Sequence, residues 1–166
     1  MAYPNMPPME SWNTDIAATL VAEHEDRPGG LIPALHALQE RFGYIHDDAA
    51  PLLAAAFNLS RAEVYGVISF YHDFRREPGG RHVIKVCQAE ACQAMGSRQL
   101  TEHARAVLGI DFHETTPSGD FSLEPVYCLG NCACTPSIMI GDDVYGRVDA
   151  KRFDAILSEI EIEDAP

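Results

Sequence analysis

A chain of 166 residues has room for one compact domain or two small ones, which excludes a large multidomain enzyme. Hydrophobic residues make up 46% of the sequence and charged residues 22%, an ordinary globular composition, so we expect most of the chain to be ordered. The 25 acidic and 12 basic side chains give a formal net charge of −13, the wrong sign for neutralising phosphate groups. We therefore expect neither nucleic acid nor an anionic membrane surface as a partner.

The sequence also shows no signal for membrane insertion or export. Its longest apolar run, residues 49–57, is far shorter than the roughly 18 residues of a membrane-spanning helix. No Lys or Arg precedes Arg27, and three prolines interrupt the first ten residues, which is unlike a signal peptide. We expect a cytoplasmic protein. In that reducing compartment, five cysteines favour metal or thiol chemistry over a disulfide framework.

The first half of the chain has the pattern of short amphipathic helices, with apolar residues three or four positions apart. It ends at the turn formed by residues 77–80, Glu-Pro-Gly-Gly. The pattern predicts a small helical bundle in residues 1–78. Its predicted helices are 16–25, 31–42 ending at Gly43, one capped by Asp47 or Asp48 and running to Phe57, and one starting after the capping box of Ser60 and Glu63.

The second half changes to short runs rich in β-branched residues, each followed by a turn or a helical segment. The element order β-α-β-β-β-α predicts a small α/β domain over residues 81–160, followed by a frayed acidic tail over 161–166. The fold class is therefore α+β. The predicted elements are a strand 82–86 before Cys87, a helix 97–108 closed by Gly109, a strand 121–127 before Cys128, a hairpin of 137–140 and 144–148, and a last helix capped by Asp149.

Four cysteines form two local pairs, Cys87-x4-Cys92 and Cys128-x3-Cys132, and each pair starts where a predicted strand stops. Two neighbouring strands deliver such loops to one edge of a sheet, which predicts a pocket of four thiolates. Zinc and a 2Fe-2S cluster both accept four thiolates, and the spacing alone leaves the two equally open. The non-redox alternative is a zinc-stabilised interaction module. Buried or redox thiols without metal are a third possibility.

Other residues near the cysteines have expected roles of their own. The backbone amides at Gly96 and Gly130 are candidates to donate toward the sulfurs, because a chain that wraps closely around an inorganic core leaves no space for Cβ atoms. Cys134 is expected to be a small buried hydrophobe and not a ligand. None of the seven histidines stands in a metal-binding pattern, and we assign no catalytic residue.

The sequence lacks cofactor-binding loops but offers a candidate docking surface. Glycine-rich nucleotide-binding loops are absent from the sequence, so any NAD or flavin is expected on a partner. Four aromatic residues near the end of the helical half are either helix core, which we favour, or a docking surface. They are Tyr65, Phe70, Tyr71 and Phe74.

Residues 31–45 and 64–71, together with the two cysteine pairs and the sequence Cys-Leu-Gly-Asn-Cys at 128–132, resemble the thioredoxin-like 2Fe-2S ferredoxin family. The resemblance extends from about residue 12 to residue 160. It implies that the second domain is thioredoxin-like and that the chain carries electrons through one 2Fe-2S cluster. The cluster ligands that it implies are Cys87, Cys92, Cys128 and Cys132.

Segments 70–75, 89–96 and 132–137 look most like the gamma subunit of NAD-dependent, molybdenum-containing formate dehydrogenase. That likeness implies a partner subunit that binds FMN and NAD, and a larger catalytic subunit that holds the molybdenum cofactor. The bundle of residues 1–78 would serve assembly. The equivalent 2Fe-2S subunits of respiratory NADH:quinone oxidoreductase and of NAD-reducing hydrogenase are the alternative identities.

Overall fold

The computed structural model describes residues 11–163, which form two compact units divided between Pro78 and Gly79. The first ten residues of the predicted bundle and the last three of the predicted tail lie outside the described range. The first unit contains the four predicted helices, and the second has the predicted α/β character. The helices of the first unit are α1 (Thr14–Ala22), α2 (Leu31–Phe42), α3 (Ala49–Ala56) and α4 (Arg61–Phe70).

The helical unit has a hydrophobic core of its own. Apolar residues on one face of α2 recur three or four positions apart, which buries them against the other helices. The helix ends as predicted at Gly43, whose φ of 79° lies in the left-handed region. The largest fully buried side chains of this core are Leu35, Leu38, Phe42, Leu53, Val64 and Val21.

The starts of α3 and α4 differ from each other in how they are capped. Before α4, the Ser60 hydroxyl accepts a hydrogen bond from the Glu63 amide at 3.2 Å and the Glu63 carboxylate accepts one from the Ser60 amide at 2.8 Å, so the predicted capping box is confirmed. Before α3, Asp48 occupies the cap position without a side-chain capping bond. The predicted aspartate cap is therefore wrong. The Asp47 carboxylate instead pairs with the Arg76 guanidinium at 3.0 Å.

The second unit is built on a five-stranded mixed sheet with the strand order β2-β3-β1-β4-β5. Strands β1 and β3 are parallel, and the other neighbouring strands are antiparallel. The strands are β1 (His82–Cys87), β2 (Glu114–Thr115), β3 (Phe121–Val126), β4 (Ile138–Ile140) and β5 (Asp143–Tyr145).

Three helices accompany the sheet: α5 (Glu90–Ala94), α6 (Ser97–Leu108) and α7 (Ala150–Glu163). The short helix α5 was not predicted, and neither was β2. Helix α7 begins at the predicted aspartate cap, where the Arg152 amide donates to the Asp149 carboxylate at 2.8 Å. It continues into the predicted acidic tail as far as Glu163, because glutamate is a good helix former. No helix within the described residues combines the length and the apolar character that a membrane crossing requires.

One face of the sheet carries the core of the second unit. The strand register places Ile84 of β1 opposite Leu123 of β3 and Ile140 of β4, and all three side chains are buried. Buried residues of α6 and α7, among them Leu100 and Phe153, complete this core. This packing fixes β1 at the centre of the sheet. It thereby also fixes the position at which β1 ends.

Candidate metal centre

The two cysteine loops leave the sheet at the same edge. Because β1 and β3 are parallel, with Cys87 aligned with Val126, their carboxyl ends lie side by side. Cys87 is the last residue of β1, and Cys128 follows β3 after one intervening residue. This register confirms the prediction that the strands before the two cysteine pairs are neighbours that end at one edge.

The first pair, Cys87 and Cys92, is buried, each residue being 2% exposed. Cys92 lies in the short helix α5 that follows β1. Side chains from α6 hold the loop in place: the Ser97 hydroxyl donates to the Cys87 carbonyl, and the Gln88 amide donates to the Thr101 hydroxyl at 2.9 Å. The buried pair is therefore anchored to both β1 and α6.

The second pair, Cys128 and Cys132, is exposed to solvent. Its two sulfur atoms are 3.7 Å apart. Two thiolates on one tetrahedral metal with bonds of about 2.3 Å have their sulfurs about 3.8 Å apart, so the observed separation suits one shared metal ion. The turn between them passes through Gly130, whose φ is 73°, and its amide donates to the Cys128 sulfur at 3.3 Å. A non-glycine residue would be strained in that conformation.

The thiols of the two pairs interact electrostatically. Burial, together with the hydrogen bond to Cys87, raises the pKa of the Cys92 thiol to about 11. A hydrogen bond to Cys128 and the charge of that neighbour raise the pKa of Cys132, and Cys87 adds to this increase. Without metal these two thiols are therefore protonated at pH 7. Metal loading must release their protons, so metal affinity falls as the pH is lowered.

Backbone amides favour negative charge on three of the sulfurs. The Gly130 amide donates to the Cys128 sulfur at 3.3 Å, and backbone amides lower the pKa of Cys92 and of Cys132 against the larger increases described above. These N–H dipoles stabilise negative charge on sulfur, which a cluster ligated by four thiolates carries in both redox states. The donor set and the amides fit a 2Fe-2S cluster.

The grouping of the donors also bears on the choice of metal. Within residues 11–163, no three side chains of His, Cys, Asp or Glu converge closely enough to enclose a single metal ion. Structural zinc needs four donors around one ion, whereas a two-iron cluster takes one pair of ligands for each iron. Two pairs of thiols are the grouping of ligands that a two-iron cluster takes.

Gly96 differs from its expected role, and Cys134 is less buried than expected. The Gly96 amide donates to the Gln93 carbonyl at 3.3 Å and not to a sulfur, and with a φ of 102° this glycine links α5 to α6. Cys134 is half-buried at the end of a short 3-10 turn, Cys132–Cys134. Its main chain accepts from the Arg147 amide at 2.7 Å. Ser137, which contacts both loops, had no signal in the sequence.

A profile of the thioredoxin-like 2Fe-2S ferredoxin family matches residues 17–161, nearly the whole chain. The chain belongs to this family. Membership accounts for the paired cysteines at the ends of β1 and β3, and for the fold of the second unit. The cofactor of the family is a 2Fe-2S cluster.

Two curated members of the ferredoxin family show where such chains occur. One NADH-quinone oxidoreductase subunit of Rhizobium meliloti is 38% identical over 136 residues, which cover 82% of this chain and 81% of the relative. The NADP-reducing hydrogenase subunit HndA of Solidesulfovibrio fructosivorans is 36% identical over 133 residues, which cover 80% of this chain and 78% of the relative. Both relatives are subunits of oxidoreductases that use nicotinamide nucleotides.

A solved oxidoreductase structure is also similar to this ferredoxin-family chain. The crystal structure of an NAD+-reducing NiFe-hydrogenase in the air-oxidized state matches 82% of the chain with a TM-score of 0.69 and 26% identity. The match spans only 23% of the hydrogenase chain. The similarity therefore concerns one part of that protein.

Proposed function

We propose that this chain is an electron-transfer subunit that holds one 2Fe-2S cluster. The proposed ligands are Cys87 and Cys92 for one iron and Cys128 and Cys132 for the other. The observation that carries the proposal is the delivery of two thiol pairs to one edge of the sheet by adjacent parallel strands, with one pair spaced at 3.7 Å. Such a cluster, when bound, accepts and releases one electron at a time.

The surroundings of the two pairs suit electron transfer without bond chemistry. The Cys87 and Cys92 pair is buried against α6, which shields that side of the site from water. The Cys128 and Cys132 pair is exposed, and the neighbouring Tyr127 is 71% exposed, so a redox partner has access to this side. The chain's own residues hold the cluster and offset its charge; no residue is assigned a substrate.

The partner that we propose is a flavoprotein subunit that binds FMN and NAD. Two relatives are named as subunits of enzymes that use NADH or NADP, and this sequence has no glycine-rich loop for a nucleotide. The nicotinamide and flavin chemistry would therefore occur on the partner. Free cysteines that serve as cluster ligands favour a reducing compartment, so we place the complex in the cytoplasm.

For the parent complex, we propose an NAD-dependent formate dehydrogenase with a larger molybdenum-containing subunit. The support is the resemblance of segments 70–75, 89–96 and 132–137 to its gamma subunit. The respiratory NADH-quinone oxidoreductase and an NAD-reducing hydrogenase are the second candidates, because the relatives above belong to such enzymes.

Anaerobic purification of the native complex through a tag on this chain tests both the proposed cluster and the proposed parent complex. We expect a brown preparation that contains iron and molybdenum and reduces NAD+ with formate. Nickel in place of molybdenum would identify a hydrogenase, and co-purifying membrane subunits would identify the respiratory enzyme. A colourless preparation that contains zinc and no iron would contradict the cluster itself, since zinc has no visible absorption.

The helical unit is proposed to serve assembly with the flavoprotein. Of the four aromatic residues considered above, only Phe74 is buried, at 6% exposed, so the expectation of helix core is right for Phe74 and wrong for the other three. Phe70 is 75% exposed and Tyr71 43% exposed, and their rings meet edge to face at 5.1 Å. Exposed aromatic pairs of this kind are typical of interface anchors.

We expect Phe70→Ser to weaken binding to the flavoprotein about tenfold or more, because truncating an interface anchor costs at least about 1.4 kcal/mol. The readout is the amount of flavoprotein that co-purifies at a fixed salt concentration. Val144→Ser, at a 44% exposed apolar residue of β5, is the matched control and should retain the partner. Equal recovery with Phe70→Ser and with the wild-type chain would contradict an assembly role for this aromatic pair.

A further inference from the structure

Ser137, immediately before β4, contacts both cysteine loops although it is not a ligand. It is 1% exposed, one of the few buried polar residues of the second unit. Its position at the sheet edge places it between the loop that follows β1 and the turn Cys132–Cys134. Both its backbone and its side chain are engaged there.

The Ser137 backbone holds the buried cysteine pair. Its carbonyl accepts from the Cys87 amide at 3.1 Å, next to the pairing of Val86 with Ile138. Its backbone also lowers the pKa of the Cys92 thiol, against the larger increase that burial causes. The Ser137 backbone therefore fixes the main chain at one ligand of this pair and affects the charge of the other.

The Ser137 hydroxyl holds the turn that carries the exposed pair. It donates to the Cys134 carbonyl at 3.2 Å and accepts from the Asn131 side-chain amide at 3.2 Å. The Cys134 amide in turn donates to the Asn131 carbonyl at 2.9 Å. Cys132 lies within this closed network, so the position of its sulfur depends on the hydroxyl of Ser137.

We propose that Ser137 is a positioning residue that ties the loops of the two ligand pairs together. The assignment rests on the proposed function, because it requires the four cysteines to be the ligands. The Ser137 carbonyl fixes the main chain at Cys87, and its hydroxyl fixes the turn that carries Cys132. Removal of the hydroxyl would therefore free one ligand pair from its alignment with the other.

The test compares Ser137→Ala, Asn131→Ala and the double variant in the full-length, cluster-loaded chain. We expect Ser137→Ala to change the midpoint potential and the g-values of the reduced cluster, because the turn that carries Cys132 loses an anchor. Release of iron to a chelator should become about tenfold faster, as for other groups that support metal ligands. Asn131→Ala should change these three quantities in the same direction as Ser137→Ala. The double variant should go no further than Ser137→Ala, because the two side chains belong to one network.

Ser122→Ala is the matched control, since Ser122 is also buried, at 2% exposed, but its hydroxyl accepts from the Gly80 amide on the other side of β1. It should leave the potential and the g-values unchanged. If Ser137→Ala fails to fold, Asn131→Ala alone carries the test. Iron-loaded variants whose potential, g-values and iron release all equal those of Ser122→Ala would overturn the assignment. A wild-type chain without iron would overturn the proposed function and this assignment with it.

Discussion

Replacing Cys92 by alanine should abolish cluster binding, whereas Cys134→Ala should leave the cluster in place. Alanine provides no ligand atom, so one iron would lose half of its protein ligands within a buried site. We expect the iron content of the purified chain to fall by more than about tenfold, beyond the loss typical of a supporting residue. The measurements are iron and acid-labile sulfide per chain, together with the visible absorption of anaerobically purified protein.

Cys134 is the natural control because it lies two residues after Cys132 in the same turn. Its backbone is bound to Asn131 and Arg147, and these bonds do not require the thiol. Loss of iron from Cys134→Ala combined with normal iron in Cys92→Ala would mean that the ligand pairs are assigned wrongly. If Cys92→Ala loses iron only because it misfolds, its metal-free chain will differ from the metal-free wild-type chain in circular dichroism. An unchanged spectrum assigns the loss of iron to the missing ligand.

The edge of the sheet at which the cysteines meet follows from the sequence. The run 82–86 is rich in β-branched residues, the run 121–127 alternates apolar with polar residues over its first four positions, and each is followed by a cysteine. The helix 97–108 between them is long enough for a crossover connection, which favours parallel neighbours. Parallel neighbours end at the same edge, so pairing of the two loops is a consequence of pattern and topology.

The elements that sequence patterns did not predict are short or tertiary in origin. Helix α5 has five residues and β2 has two, too few for a periodic signal to appear. The Asp47 carboxylate was expected as a possible helix cap, but a residue 29 positions later, Arg76, takes it as a partner. This ion pair joins residues that are far apart in the sequence, so the residues around Asp47 could not predict it.

The same reasoning explains why Ser137 and Gly146 had no signal. Their importance comes from atoms that approach them only in the folded chain: the Cys87 amide, the Cys134 carbonyl and the Asn131 side chain for Ser137, and Cys134 with Asn131 for Gly146. The turn at Gly130 was recognisable as a support for the ligands because it lies between two cysteines. A residue's role in supporting the ligands is thus visible from sequence only when it adjoins a ligand.

Because the chain as a whole is acidic, backbone N–H dipoles near the cysteines contribute more to stabilising a negatively charged cluster than they would in a neutral chain. A formal net charge of −13 opposes the addition of an electron to a cluster that is already negative. The Gly130 amide acts on the Cys128 sulfur at hydrogen-bond contact, where salt does not screen it effectively. The geometry of the turn between Cys128 and Cys132 therefore has a direct effect on the ease of reduction.

Gly146→Ala should destabilise that turn. A Cβ at position 146 would lie 2.7 Å from the Asn131 side-chain nitrogen and equally close to the Cβ and the carbonyl oxygen of Cys134. The Cβ and the carbonyl oxygen of Cys134 cannot rotate away from the added Cβ. The whole turn therefore has to shift. We expect a loss of about 1–3 kcal/mol in the free energy of unfolding, the usual cost of overpacking. Thermal unfolding of the metal-free chain measures this loss, and iron release to a chelator should accelerate in the loaded chain.

The effect at Gly146 is one of space and not of backbone conformation, because its φ lies outside the left-handed region. Gly66→Ala in α4 is the matched control. A Cβ there meets no atom within 4 Å, and alanine should stabilise the helix by about 0.5–1 kcal/mol relative to glycine. Opposite signs for the two substitutions would show that the close packing of Gly146 against Cys134 maintains the ligand turn. If Gly146→Ala unfolds at the wild-type temperature and releases iron at the wild-type rate, the turn tolerates displacement and does not depend on this contact.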